Sequence, residues 1–75
     1  MASVDKLIEK MHNQPHGIRM AEADKVLTLN GYRLDRKKGS HRQYINASGD
    51  VITVKEDTPT IKAVYVKDIL SRIGK

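Results

Sequence analysis

Residues 36–44 read RKKGSHRQY, so that four cations surround a Gly-Ser pair and a single histidine. Those residue types suggest a chemistry. An imidazole, whose unperturbed pKa is ~6.5, is largely neutral near pH 7 and competent to accept a proton. Neighbouring Lys and Arg can hold a phosphate and offset the charge that grows on it during attack. Gly39 and Ser40 can bend the chain and turn backbone N–H groups toward an anion. His41 acting as base on a ribose 2′-hydroxyl, with Lys37, Lys38 and Arg42 holding phosphates, is the outline of a metal-free RNA-cleaving site; a base so placed contributes roughly 10² to 10⁴ in rate. The competing reading is a solvated basic hairpin whose histidine is a surface residue, and composition alone favours that one.

Other groupings are weaker. His12 and His16 are four apart, but Pro15 and Gly17 deny them a continuous helix and no acid or thiolate completes a ligand shell, so they read as surface residues rather than a metal site. The chain has no cysteine, which excludes disulfides and thiolate metal centres alike. Neither metal nor cofactor is expected. Ser40 is no convincing nucleophile for a His41 base, because adjacent strand residues point to opposite faces; its expected task is to shape the turn. The three tyrosines suit core packing at least as well as base stacking.

The elements that must position this stretch follow from periodicity. Val4, Leu7, Ile8 and Met11 form the stripe of a first helix over residues 3–12, with Ser3 available as its cap, and NQPHG at 13–17 ends it. Met20, Ala23, Val26 and Leu27 form a second stripe that stops at Asn30-Gly31, where glycine accepts the left-handed conformation. From Tyr32 the rhythm becomes two, a strand with one wet face. Gly39-Ser40 interrupts it, His41–Asn46 is extended again, ASGD at 47–50 is a turn, and VITV at 51–54 is a β-branched strand. Residues 55–62 read as a polar loop. Val66, Ile69, Leu70 and Ile73 form a last helix that Gly74 terminates. The expected order is α-α-β-β-β-α, a three-stranded antiparallel meander covered on one face by helices, in an α+β fold. On the second strand His41, Gln43 and Ile45 share one side and Arg42 and Tyr44 the other; Ile45 and Tyr44 both compete for the core, leaving the buried side open.

With 75 residues the chain supports one domain and one modest core. Its net charge is +5, and from Arg33 to Arg42 five cations face a single anion, Asp35, so most of the excess sits in one place. A polyanionic partner fits that distribution. The first helix carries as many acids as bases over residues 4–11, which argues against adsorption to a membrane. No apolar run approaches the roughly 20 residues of a membrane span, and a cytoplasmic location is expected.

The order of elements taken with NGYRL, RKKGSHRQY, VITV and the closing ILSRIG resembles the HicA toxins of bacterial HicA/HicB toxin-antitoxin systems, from Ile18 to Gly74. In that family a glycine-ended helix leads into Gly-Tyr or Gly-Phe, here Gly31-Tyr32, and the signature G-S-H-x-x-[FY] is met by Gly39, Ser40, His41 and Tyr44. The resemblance implies a core over residues 18–75 with a double-stranded-RNA-binding-domain-like fold, preceded by a helix and linker at 1–17. It also implies a type II toxin that cleaves mRNA as a metal-independent endoribonuclease, with His41 as the catalytic histidine. Arg36, Lys37, Lys38, Gly39, Ser40 and Arg42 are the expected RNA-binding residues, and a HicB-type antitoxin is the expected protein partner. Two alternatives remain: an RNA-binding module of the same fold without catalysis, and a pure protein-interaction subunit whose basic face docks an acidic partner.

Overall fold

The structure is a computed structural model and describes residues 4–75. Its elements are α1 (Val4–Asn13), α2 (Met20–Leu29), β1 (Arg33–Lys38), β2 (His41–Ile45), β3 (Val51–Lys55) and α3 (Ala63–Ile73). The strands form an antiparallel sheet in the order β1-β2-β3, open at both edges, and the protein has the α+β fold expected.

Each helix is held by identifiable groups. Leu7 and Met11 of α1 are buried, and Val4 and Ile8 pack against the same core; Ser3, the expected cap, lies outside the described residues. α2 begins without a Ser, Thr, Asp or Asn cap. Instead the Glu22 carboxylate accepts the Arg19 backbone N–H at 3.0 Å and pairs with Lys10 of α1 at 2.9 Å, so one side chain both caps α2 and ties α1 to it. Burial alone would raise the Glu22 pKa, but the hydrogen bonds from Lys10 and the Arg19 N–H outweigh it and hold the carboxyl below its usual range. The exit of α2 is a Schellman motif: Gly31 has φ +88°, and the Gly31 and Tyr32 N–H groups return to Thr28 and Leu27 at 3.2 and 3.0 Å. Gly74 closes α3 in the same left-handed conformation.

Tyr44, Ile52 and Val54 point under the sheet and are wholly buried, against Ala23, Val26 and Leu27 of α2 and Val66 and Ile69 of α3. Each aliphatic side chain buried this way contributes about 1.5–3 kcal/mol. Tyr44, then, is the core residue of β2, and Ile45 lies on the other face. Helices cover one face only, which leaves the second face of the sheet open.

β1 departs from the expected strand with a single wet face. It starts at Arg33, is exposed along its whole length, and slips register between Leu34 and Arg36, so that Asp35 is a bulge. Leu34 pairs with Tyr44 and Lys37 with Arg42 on the helix side, whereas Arg36 pairs with Gln43 and Lys38 with His41 on the open side. The β2–β3 turn is built by Asn46, whose Oδ1 accepts the Ser48 and Asp50 N–H groups at 3.0 and 2.8 Å. Asp50 then accepts the Tyr32 hydroxyl and an Arg72 N–H, each at 2.6 Å, locking this turn to α3 and to the start of β1. Among the described residues no helix is long and apolar enough to cross a membrane.

Candidate active site

The hairpin that carries the histidine is as short as an antiparallel pair allows. Lys38 and His41 are register partners across the two residues Gly39 and Ser40. Gly39 has φ +58° and Ser40 is not in the positive region, the pattern of a type II′ turn, in which the first central position calls for glycine. The Glu56 N–H donates to the Ser40 carbonyl at 2.6 Å and staples the turn to the residue that follows β3.

His41 is exposed on the open face, flanked across the sheet by Lys38 of β1 and Lys55 of β3. Beside it lies a depression of about 590 Å³ lined by Arg36, Lys38, Gly39, His41, Gln43 and Thr53. Among the described residues nothing hydrogen-bonds or pairs with the side chains of Arg36, Lys38 or His41, and no carboxylate orients the imidazole. Lys55 is half-buried and drawn toward Asp57 at 4.0 Å.

The other cations of the stretch face the helices. Arg42 donates to Glu56 Oε1 from Nε at 2.8 Å, and its Nη2 lies 2.7 Å from the same oxygen, while Lys37 approaches that oxygen at 3.4 Å. Arg42 Nη1 also donates to the Tyr44 hydroxyl at 3.4 Å, and that hydroxyl donates to Asp24 at 2.5 Å. Burial, reinforced by the bond to Asp24, pushes the Tyr44 phenol up to about 12. The Arg42 hydrogen bond, helped by Lys37, holds the Glu56 carboxyl below its usual range.

Of the residues singled out in the sequence, the structure brings Arg36, Lys38, Gly39 and His41 to one depression. It does not bring Lys37 or Arg42 there, because strand alternation sends both to the opposite face, where both pair with Glu56 and Arg42 also lies 3.9 Å from Asp24. Ser40 borders a separate groove with Lys37, Glu56, Asp57 and Thr58. Gln43, Thr53, Lys55 and Glu56 were not singled out. Alternation along VITVK groups Thr53 with Lys55, but only the register shows that they lie beside Gln43 and His41. His12 Nε2 sits 2.9 Å from the Lys75 carbonyl, far along the chain from this face, and His16 is exposed in the α1–α2 link.

A model of the family described as the HicA toxin of bacterial toxin-antitoxin matches residues 20–75, which contain every residue of the open face and both helices behind it. The chain belongs to the HicA family. Its role is accordingly that of the toxin in a bacterial toxin-antitoxin pair. No curated protein and no solved structure matches the chain. In this HicA-family toxin α1 precedes the matched region, yet Leu7 and Met11 belong to the common core and Lys10 ties α1 to α2 through Glu22.

Proposed function

We propose that this HicA-family toxin is a metal-independent endoribonuclease that cleaves mRNA in the cytoplasm, with His41 as general base on the 2′-hydroxyl. One observation carries the reading: the histidine of the G-S-H-x-x-[FY] signature stands exposed beside a depression lined by Arg36 and Lys38, on the face that no helix covers. A phosphodiester lying in that depression meets a proton acceptor and two cations with no competing carboxylate partner among the described residues. Arg36 and Lys38 hold the scissile or flanking phosphate. Lys37 and Arg42 act from behind, through Glu56, by fixing the turn that aims His41. A HicB-type antitoxin silences the toxin by covering this same cationic face.

Transesterification by a 2′-oxygen leaves a 2′,3′-cyclic phosphate and a 5′-hydroxyl. Mass spectrometry of a short cleaved RNA is expected to find those ends, with activity persisting in chelator, and His41→Ala is expected to lose roughly 10² to 10⁴ in rate while still binding RNA. Ends bearing a 3′-hydroxyl, or abolition by chelator, would refute the mechanism. Cleavage undiminished in His41→Ala would remove the base, and RNA binding with no cleavage by the wild type would favour the non-catalytic module.

A further inference from the structure

A single histidine completes only half of the reaction. As the 2′-oxygen attacks phosphorus, the bond to the 5′-oxygen breaks, and an alkoxide departing without a proton is a poor leaving group. The attacking and leaving oxygens lie roughly in line through phosphorus, so the donor must reach the phosphate from the side opposite the base. The open face offers few donors. Arg36 lines the depression, but a guanidinium does not give up its proton in proteins. Gln43 and Thr53 carry no proton they release readily near neutrality. Tyr44 has its hydroxyl on the helix face, committed to Asp24. Lys55 leans toward Asp57 and does not line the depression.

Lys38 remains, and its placement fits the task. It is the direct register partner of His41 across the two-residue turn, so their Cβ atoms start about 5 Å apart on adjacent strands of one face. A phosphate seated between them is approached from one side by each. Its ammonium is a proton donor on a flexible four-carbon stem, and no carboxylate among the described residues holds it away from the depression.

Resting on the reading of His41 as base, we infer that Lys38 is the general acid of the cleavage step. The 2′-hydroxyl proton passes to the His41 imidazole, the 2′-oxygen bonds to phosphorus, the P–O5′ bond breaks, and a Lys38 ammonium proton completes the 5′-hydroxyl. The step ends with imidazolium and neutral amine, which return to their starting forms by exchange with water, so no co-reactant is consumed.

The test pairs two variants, Lys38→Ala and Lys38→Arg, with two substrates: an RNA with its natural linkage, and the same RNA with sulfur replacing the bridging 5′-oxygen at the cut. A thiolate departs without help from an acid. On the natural linkage both variants are expected to lose roughly 10² to 10⁴ in rate, Lys38→Arg while keeping its affinity for RNA. On the sulfur linkage both are expected to recover to within roughly tenfold of the wild type, whereas His41→Ala stays slow. Equal defects on the two linkages would make Lys38 a phosphate ligand only and overturn the proposal while leaving His41 as base. Wild-type rates in Lys38→Arg on the natural linkage would also overturn it. Rates independent of His41 on both linkages would bring down the underlying reading together with it.

Discussion

Lys37 and Lys38 are adjacent, carry the same charge, and are assigned opposite fates by the fold. The first approaches Glu56 on the helix side at 3.4 Å; the second stands on the open face opposite His41. Replacing each in turn by Gln changes the net charge identically, so any difference in RNA binding reports geometry rather than composition. If Arg36 and Lys38 each neutralise one phosphate of a single strand, the slope of log affinity against log salt is about −1.4, and affinity falls about 7-fold between 50 and 200 mM salt. Removing Lys38 takes the slope to about −0.7 and the fall to about 2.6-fold. Removing Lys37 leaves both values unchanged. The measurement is fluorescence anisotropy of a short labelled RNA, with all proteins in a His41→Ala background so that nothing is cut. Equal loss of slope in the two variants would refute the division into faces, because it would require helix-side cations to reach the nucleic acid. A flat salt response in the parent would exclude the open face as an electrostatic RNA contact altogether.

Three further perturbations probe the scaffold. Tyr44→Phe removes a hydroxyl that donates to Asp24 and accepts from Arg42, and is expected to cost about 1.5 kcal/mol in urea unfolding at pH 7. Because the folded phenol sits near 12 against an ordinary 10, its contribution is complete below pH 10 and is lost as pH rises through the folded value. The gap between the two proteins should therefore narrow by up to about 1.4 kcal/mol per pH unit above pH 10, and a constant gap would contradict the assigned shift. Gly39→Ala forces a side chain into φ +58° and should lower stability by about 1–2 kcal/mol, whereas Ser40→Ala, which deletes no side-chain hydrogen bond, should change little. Glu22→Gln breaks the link from α1 to α2; since the carboxyl is depressed in the folded state, the wild-type advantage should be present above the ordinary value of 4.5 and vanish as pH falls through the folded one, read as a thermal midpoint series from pH 7 to 3.

How much of this was legible in the sequence depended on whether the deciding interaction was local. Helix stripes and their glycine ends are local, and the stops at Gly31 and Gly74 stand where they were expected. The buried face of β2 is not. Ile45 is the more apolar competitor, but the core takes Tyr44 because its hydroxyl finds Asp24 on α2, twenty positions away in the chain. Nothing around Asp35 carries the Gly or Pro that usually marks a bulge, so the slip in β1 left no trace. Glu56 lies in a stretch that reads as polar loop, and its ties to Ser40, Lys37 and Arg42 exist only once the strands are paired. His41 was visible because a motif carried it. Lys55 beside it was invisible because a register did.

The slip at Asp35 explains how a strand-borne histidine comes to have cations around it. Alternation along β2 sends both immediate neighbours of His41 away from it, so charge for the open face has to come from the flanking strands. Strict alternation from Leu34, which pairs with Tyr44 on the helix side, would have sent Arg36 and Lys38 beneath the sheet and Lys37 to the open face. One extra residue reverses that parity, setting Arg36 and Lys38 beside the histidine and turning Lys37 under, where it joins Arg42 on Glu56. Glu56, with Asp24 also 3.9 Å from Arg42, then pairs with the two cations that face the helices, and the hairpin's cations left without a carboxylate partner among the described residues, Arg36 and Lys38, fall on the side where His41 is exposed. The basic character of the hairpin is thus a property of composition, but its direction is set by the bulge.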